Sequence, residues 1–414
     1  MRVYSIKKRL NIPAYKITGV ISENKTEIHL RLEPYKRKPF VCSGCGHIHK
    51  TGYHGKEEST AEDLPIFEKR AYLHVTKRRH VCPNDSQTHI EEVSWLNKWS
   101  RTTKRFAQKV NRLTAITTNQ EAGWFLGLDD EAVYRIDKEI LKAQYNLKLV
   151  PPPAAINISV DEVSYKKYHR YLTNVVDADE RAVIWNDRGR KTEVLDRYYA
   201  GIGEDNCKRI ESVALDGART FISSTNKYAV NALIVYDKFH IIQKLNWAVD
   251  MARKQELRTA RKENNKELVD LINCKQRFIL LKKKSNLTDS QAHYLQRLCE
   301  INEPIYKAML LKESFLKLYD SQSPEEAQSY LESWIIEALA GSVETFKLIA
   351  ASFRDKMHYI INWFRKKISS AISEGINNKI KRLKRMAYGY RDVEYFKLKI
   401  HQHCGLLNPR RYPQ

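Results

Sequence analysis

At 414 residues and 42% hydrophobic content, the chain is too long for one ordinary domain and too apolar for wholesale disorder. Lys and Arg number 72 against 49 Asp and Glu, and the resulting +23 favours a polyanionic partner through attraction and counterion release. No apolar run reaches the roughly 18–20 residues of a membrane helix, MRVYSIKKRL lacks the apolar stretch of a signal peptide, and an odd count of seven Cys argues against a disulfide framework; a cytoplasmic protein is expected.

Residues 1–97 read as a small β-rich domain. ITGVISENKTEIHLRLEPY and AYLHVTKRRHVC alternate apolar and polar residues, the period of half-buried strands. The C-x-x-C pair Cys42 and Cys45 forms a knuckle between them. Residues 98–150 switch to helical spacing, with Ala122, Leu126, Leu128, Val133 and Ile136 as apolar anchors and Gly127 at a break. That layout predicts a helix-turn-helix whose second helix, with Tyr134 and Arg135, enters a major groove; a plain packed helical hairpin has the same pattern. Pro151, Pro152 and Pro153 cannot continue a helix and mark a domain boundary.

Residues 154–245 read as β-β-β-α-β-α-β, a mixed α/β sheet flanked by helices. This is the element order of an RNase H-like core. Residues 246–345 read as a large helical insertion, with helix starts at Thr288 (Gln291 three residues on) and at Ser323-Pro324-Glu325-Glu326. Residues 346–414 read as the helical end of the core, closing on the basic stretch KIKRLKRMAYGYR.

Cutting a phosphodiester requires an activated oxygen nucleophile and a stabilised leaving oxygen, and two Mg²⁺ ions held by carboxylates supply both. Such acids lie far apart in sequence and converge in space. Asp161 follows the strand Ile156–Val160, and Asp216 ends the strand Ser212–Leu215 before Gly217. Those are the first and fourth strands, neighbours in an RNase H-like sheet, so the two carboxylates fall side by side and their repulsion calls for a divalent cation. A third acid from a late helix is Glu374, where Asn378 and Lys381 share its face. Taken alone, that run reads as a solvated charged helix.

With these residues in view, the chain resembles the ISL3 family of bacterial and archaeal insertion-sequence transposases. The resemblance rests on VDEVS at 160–164, ALDGA at 214–218, YDKFHIIQKLN at 236–246 and EGINNKIKRLKRMAYGY at 374–390. It implies a DDE triad of Asp161, Asp216 and Glu374 holding Mg²⁺ or Mn²⁺, with Asp237 and His240 supporting the cleft. It implies an N-terminal Cys-containing finger, from whose two-Cys-pair pattern this chain departs: Cys42 and Cys45 form the first pair, Cys82 has no nearby Cys partner, and His80, Asp85 or His89 can stand in. The residues thus suggest Zn²⁺ on Cys42, Cys45, Cys82 and His89, with His47, His49 and His54 also near in sequence. It further implies double-stranded DNA as partner, namely the element's terminal inverted repeats and a target, contacted by Lys379, Lys381, Arg382, Lys384 and Arg385. Joining two ends implies at least a homodimer, in the nucleoid of a bacterium or archaeon. An RNase H-like nuclease without strand transfer would share the acids. A non-catalytic DNA-binding regulator would share the finger and leave the acids without a purpose.

Overall fold

The structure, a computed structural model, describes residues 10, 12–97, 101–166, 170–273, 277–282, 286–368 and 371–411. The chain divides into two compact units, Met1–Tyr145 with Pro413–Gln414, and Asn146–Tyr412. Among the described residues no helix is long and apolar enough to cross a membrane.

The first unit opens with β1 (Tyr15–Glu23), β2 (Glu27–Pro34), β3 (Phe40–Val41), β4 (Ile48–His49), β5 (Tyr53–Ile66), β6 (Lys69–Val81) and β7 (Thr88–Ile90). The main sheet runs β1-β2-β6-β5, with β7 also on β6, while β3 and β4 pair by themselves. Period-2 alternation decides which side chains enter the core. Ile28, Leu30 and Leu32 of β2 meet Ala71, Leu73 and Val75 of β6, all buried.

Three helices follow: α1 (Lys104–Thr114), α2 (Asn119–Leu126) and α3 (Asp130–Leu149), the last of which ends beyond Tyr145. Thr103 caps α1, and Thr118 with Glu121 forms a capping box on α2. Gly127, at φ +69, ends α2 in a left-handed turn that glycine adopts without steric cost. Phe106 and Val110 pack on Ala122, Leu126, Val133 and Ile136, so the predicted anchors form one core. The Asn111 amide and Thr114 hydroxyl both donate to buried Asp137, at 2.8 and 2.7 Å, tying α1 to α3.

The second unit holds β8 (Asn157–Lys166), β9 (Arg170–Asp177), β10 (Ala182–Arg188), α4 (Thr192–Ile202), α5 (Glu204–Lys208), β11 (Ser212–Leu215), α6 (Arg219–Tyr228) and β12 (Leu233–Tyr236). Its sheet order is β10-β9-β8-β11-β12. The pairs β10/β9 and β9/β8 are antiparallel, whereas β8/β11 and β11/β12 are parallel. On one face Ile158, Val160 and Val213 pack under α4 and α6. On the other, Val163, Leu172 and Val176 pack under the chain's last two helices.

The helices after the sheet are α7 (Lys238–Lys262), α8 (Lys266–Leu271), α9 (Arg277–Leu281), α10 (Asp289–Ile301), α11 (Glu303–Leu316), α12 (Pro324–Ala340), α13 (Glu344–Asp355), α14 (Met357–Arg365), α15 (Ala371–Met386) and α16 (Val393–Cys404). The caps at Thr288 and Ser323 form as the sequence predicts. The expected boundaries at 245/246 and 345/346 fall inside α7 and α13. The physical reason is continuity: Asp237 caps α7 directly after β12, and residues from Tyr236 to Ile361 share one apolar core.

Candidate active site and metal centre

The acidic cleft is a consequence of strand register. Ala214 aligns with Ser159 across β11/β8, and Leu215 with Tyr236 across β11/β12. Carrying that register two residues past Ala214 and one past Leu215 places Asp216 beside both Asp161 and Asp237. The three carboxylates therefore form a row on the same side of the sheet as Ser159. Asp216 and Asp237 lie just past the ends of β11 and β12, and Asp161 lies in the middle of β8, which continues to Lys166 rather than ending at Val160. The turns after the strands hold two of them. Asp216 accepts from the Ala218 backbone N–H at 2.8 Å, and Asp237 from that of Phe239 at 2.7 Å.

Helix α15 runs along β8. The hydroxyls of Ser373 and Ser159 bond at 2.6 Å, and Asn377 Nδ2 donates to Asp161 Oδ2 at 2.6 Å. Glu374 stands half-buried on α15, one residue past Ser373 and within one turn of Asn377. His240, on α7, lies with Nε2 3.9 Å from Asp161 Oδ2 and 3.7 Å from Asp237 Oδ2.

Crowded acids resist ionisation. Burial raises the Asp161 pKa, the charges of Asp216 and Asp237 add to the rise, and His240 opposes it. Glu162, the next residue, is pushed up to about 7, first by burial and then by Asp216. Cations rim the cleft. Lys356 donates to the Gly217 carbonyl at 2.7 Å, and Lys244 donates to the Tyr236 hydroxyl. Burial holds both ammonium pKa values below the usual lysine range. The recess beside Asp216 has a volume of about 390 Å³ and is lined by Asp216, Gly217, Ala218, His240, Gln243, Lys244 and Trp247. An oxygen-rich donor set of this kind suits Mg²⁺ or Mn²⁺.

The finger gathers a different set. Cys42, Cys45, Cys82 and His49 present ligand atoms that all lie within 4.8 Å of one another. His49 Nε2 stands 3.1 Å from Cys45 Sγ and 3.5 Å from Cys82 Sγ. A tetrahedral zinc with ordinary Zn–S and Zn–N bonds spaces such atoms by ~3.5 Å, so the residues fit the ion. Burial disfavours the Cys42 thiolate, but the backbone N–H groups of Cys45 and Gly44, together with the Cys45 and Cys82 thiols, hold its pKa below the usual thiol value. Among the described residues this is the one cluster so tight, and the acids of the cleft are spaced more widely.

The expectation of His89 as fourth ligand is corrected here. His89 Nε2 instead pairs with Asp85 at 2.7 Å, and its ring packs over Gly44, where a Cβ would come within 2.5 Å. The β3/β4 pairing, with Phe40 opposite His49, turns His49 into the knuckle. Sequence proximity to Cys82 favoured His89, whereas the fold favours the histidine on the Cys42–Cys45 side.

The other predicted residues are placed as follows. Tyr134 is half-buried and accepts from Lys138 at 3.0 Å, and Arg135 is exposed on α3. Lys379, Lys381, Arg382 and Arg385 are exposed on α15, while Lys384 is half-buried and donates to the Ser164 carbonyl at 3.2 Å. Asn378 is exposed, and its neighbour Asn377 is the one that reaches Asp161. Sequence reading missed Glu162, Lys356 and the Asn377 contact. The Glu162 signal was available, since two acids in succession on an apolar strand are costly to bury.

The chain is similar to known transposases. A transposase family model, the DDE domain of the ISL3 group, matches residues 158–400, more than half of the chain. A second, the zinc-finger of transposases IS204/IS1001/IS1096/IS1165, matches residues 38–85, a range that holds Cys42, Cys45, His49 and Cys82 and stops short of His89. The transposase of insertion sequence element IS1001 from Bordetella parapertussis is 31% identical over 369 residues, 88% of each chain. The transposase of IS1557 from Mycobacterium tuberculosis is 27% identical over 260 residues, 57% of each chain. The chain belongs to the ISL3 family of insertion-sequence transposases.

Proposed function

We propose that the chain is a DDE transposase with an RNase H-like core that cuts the ends of its element and joins them to a target. The observation that carries this reading is the row of Asp161, Asp216 and Asp237 across three parallel strands, with α15 held beside Asp161 through Ser373 and Asn377. Asp161, Asp216 and Glu374 are the triad, on the first strand, the fourth strand and a late helix. Two Mg²⁺ or Mn²⁺ ions held there would polarise the attacking and leaving oxygens. Asn377 fixes the rotamer of Asp161, and His240 sits between Asp161 and Asp237 and keeps their charges apart. Lys244 and Lys356 take the phosphates beside Asp216. Hydrolysis at the element end frees a 3′-hydroxyl, which then attacks a target phosphodiester.

Zinc on Cys42, Cys45, His49 and Cys82 stiffens the finger. The finger and the helix-turn-helix of α2 and α3, through Tyr134 and Arg135, bind the terminal inverted repeats. Lys379, Lys381, Arg382, Lys384 and Arg385 contact the DNA backbone. Two chains act together, since two ends are joined. The test supplies labelled element-end duplex, a supercoiled target and Mg²⁺. Joined products are expected. Cleavage without joining would reduce the function to that of a nuclease, and tight binding without cleavage would leave a regulator.

A further inference from the structure

The stripe of α7 that faces the recess combines groups that phosphodiester cutting alone does not require. His240, Gln243, Lys244 and Trp247 fall at spacings of three and four and so share one face of the helix. The opposite face, with Ile241, Leu245, Ala248 and Val249, is fully committed to the core. Trp247 is 49% exposed, although a large apolar ring gains from burial. Neither Trp247 nor Gln243 makes a ring contact or a side-chain hydrogen bond among the described residues.

An aromatic face, an amide with both donor and acceptor, and a lysine beside a catalytic carboxylate match the three parts of a nucleotide. The base has a π-face, its edge carries donors and acceptors, and its phosphate is anionic. The 390 Å³ recess lies at the lower end of small-molecule pockets, roughly 300–1,000 Å³, and is open to solvent on one side. Its inner wall is fixed. Gly217, at φ +81, lets the Tyr236 ring approach where any Cβ would clash at 2.5 Å. Lys244 and Lys356 flank that ring at 5.1 and 5.5 Å from its centroid.

We propose that this recess takes a single nucleotide unstacked from the duplex next to the scissile phosphate, its base lying on Trp247 and its edge met by Gln243. The inference rests on the strand-cleavage reading above and specifies the form of its DNA substrate. Drawing one base out of the stack costs pairing and stacking energy, and the aromatic platform returns part of it. The gain is access: the phosphate reaches Asp216 without the duplex having to enter the cleft.

The experiment measures binding of the full chain to element-end duplexes in Ca²⁺, with the base pair flanking the scissile phosphate either matched or mismatched. A mismatch prepays the unpairing, so wild type is expected to bind the mismatched duplex on the order of tenfold more tightly. Trp247→Ala should lose affinity for the matched duplex by on the order of tenfold, the worth of one stacked base, and Trp247→Phe should retain most of it. Gln243→Ala should keep the mismatch preference and lose discrimination among bases at that position. Equal wild-type binding to the two duplexes would overturn the proposal, as would equal losses in Trp247→Ala and Trp247→Phe. A wild type that prefers the mismatch yet fails to cleave in Mg²⁺ would count against the cleavage reading alone.

Discussion

Replacing His49 with Ala should strip the finger of its metal, and replacing His89 should not. The knuckle from Phe40 to His49 must order its backbone at roughly 1–2 kcal/mol per residue, on the order of 10–20 kcal/mol in all. Its own apolar core is Phe40, Cys42 and Cys82 with Cys45 against them. Burying one Phe returns only about 1.5–3 kcal/mol. Structural zinc contributes an apparent ~10–16 kcal/mol, the size of the shortfall. His49→Ala removes a direct ligand, so zinc affinity should fall by more than the roughly 10–100-fold that losing a supporting partner costs. His89→Ala removes only the Asp85 pair and the contact over Gly44, and its effect should lie within that range or below it. The assay is competition with a chromogenic chelator, with amide exchange across residues 38–92 reporting order in the finger. Equal losses in the two variants, or the larger loss in His89→Ala, would refute the reasoning.

Three further outcomes are expected. Asn377→Ala removes the 2.6 Å donor to Asp161 and should slow end cleavage by about 10–100-fold, the worth of a hydrogen bond to a charged group, while thermal unfolding shows the fold intact. Gly217→Ala places a Cβ at φ +81 within 2.5 Å of the Tyr236 ring, and should cost about 1–2 kcal/mol of stability from the backbone alone and abolish cleavage, read by urea unfolding and the cleavage assay. Asp250, 3% exposed, pairs with Arg253, Lys254 and Arg277, and Asp250→Asn should destabilise the chain by about 3–5 kcal/mol at neutral pH. Burial opposes its ionisation, but hydrogen bonds from Arg253 and Lys254 hold its pKa below 3.8, so the stabilisation is full above 3.8 and fades as pH falls through the lower folded value. Unfolding of the variant and wild type should therefore converge in acid.

Residues whose positions follow from local pattern were legible in the sequence. Asp216 could be placed because an acid at the end of an apolar strand stands out, and Asp161 because it interrupts a run of β-branched residues, although its strand continues to Lys166. Parallel pairing of β8 with β11 then set them side by side. Caps at Thr288 and Ser323 depend on three-residue spacings and form as read. The fourth zinc ligand was not legible, because His49 reaches Cys82 only after β3, β4 and the β6–β7 hairpin have packed together. Asn377 against Asp161 joins residues more than two hundred positions apart, and no periodicity encodes such a contact. That the expected boundaries at 245/246 and 345/346 fall inside helices has a similar reason. A helix start is marked by its cap at Asp237, while the domain it belongs to is decided by which core its apolar face joins.

The central claim is the triad, and the most direct test is cleavage of labelled element-end DNA in Mg²⁺ by wild type beside Asp161→Asn, Asp216→Asn, Glu374→Gln and Asp237→Asn. The account predicts cleavage to a 3′-hydroxyl by wild type, residual cleavage by Asp237→Asn, and none by the other three. Cleavage by Asp161→Asn or Glu374→Gln at the wild-type rate would contradict it, as would loss in Asp237→Asn with retention in Asp216→Asn.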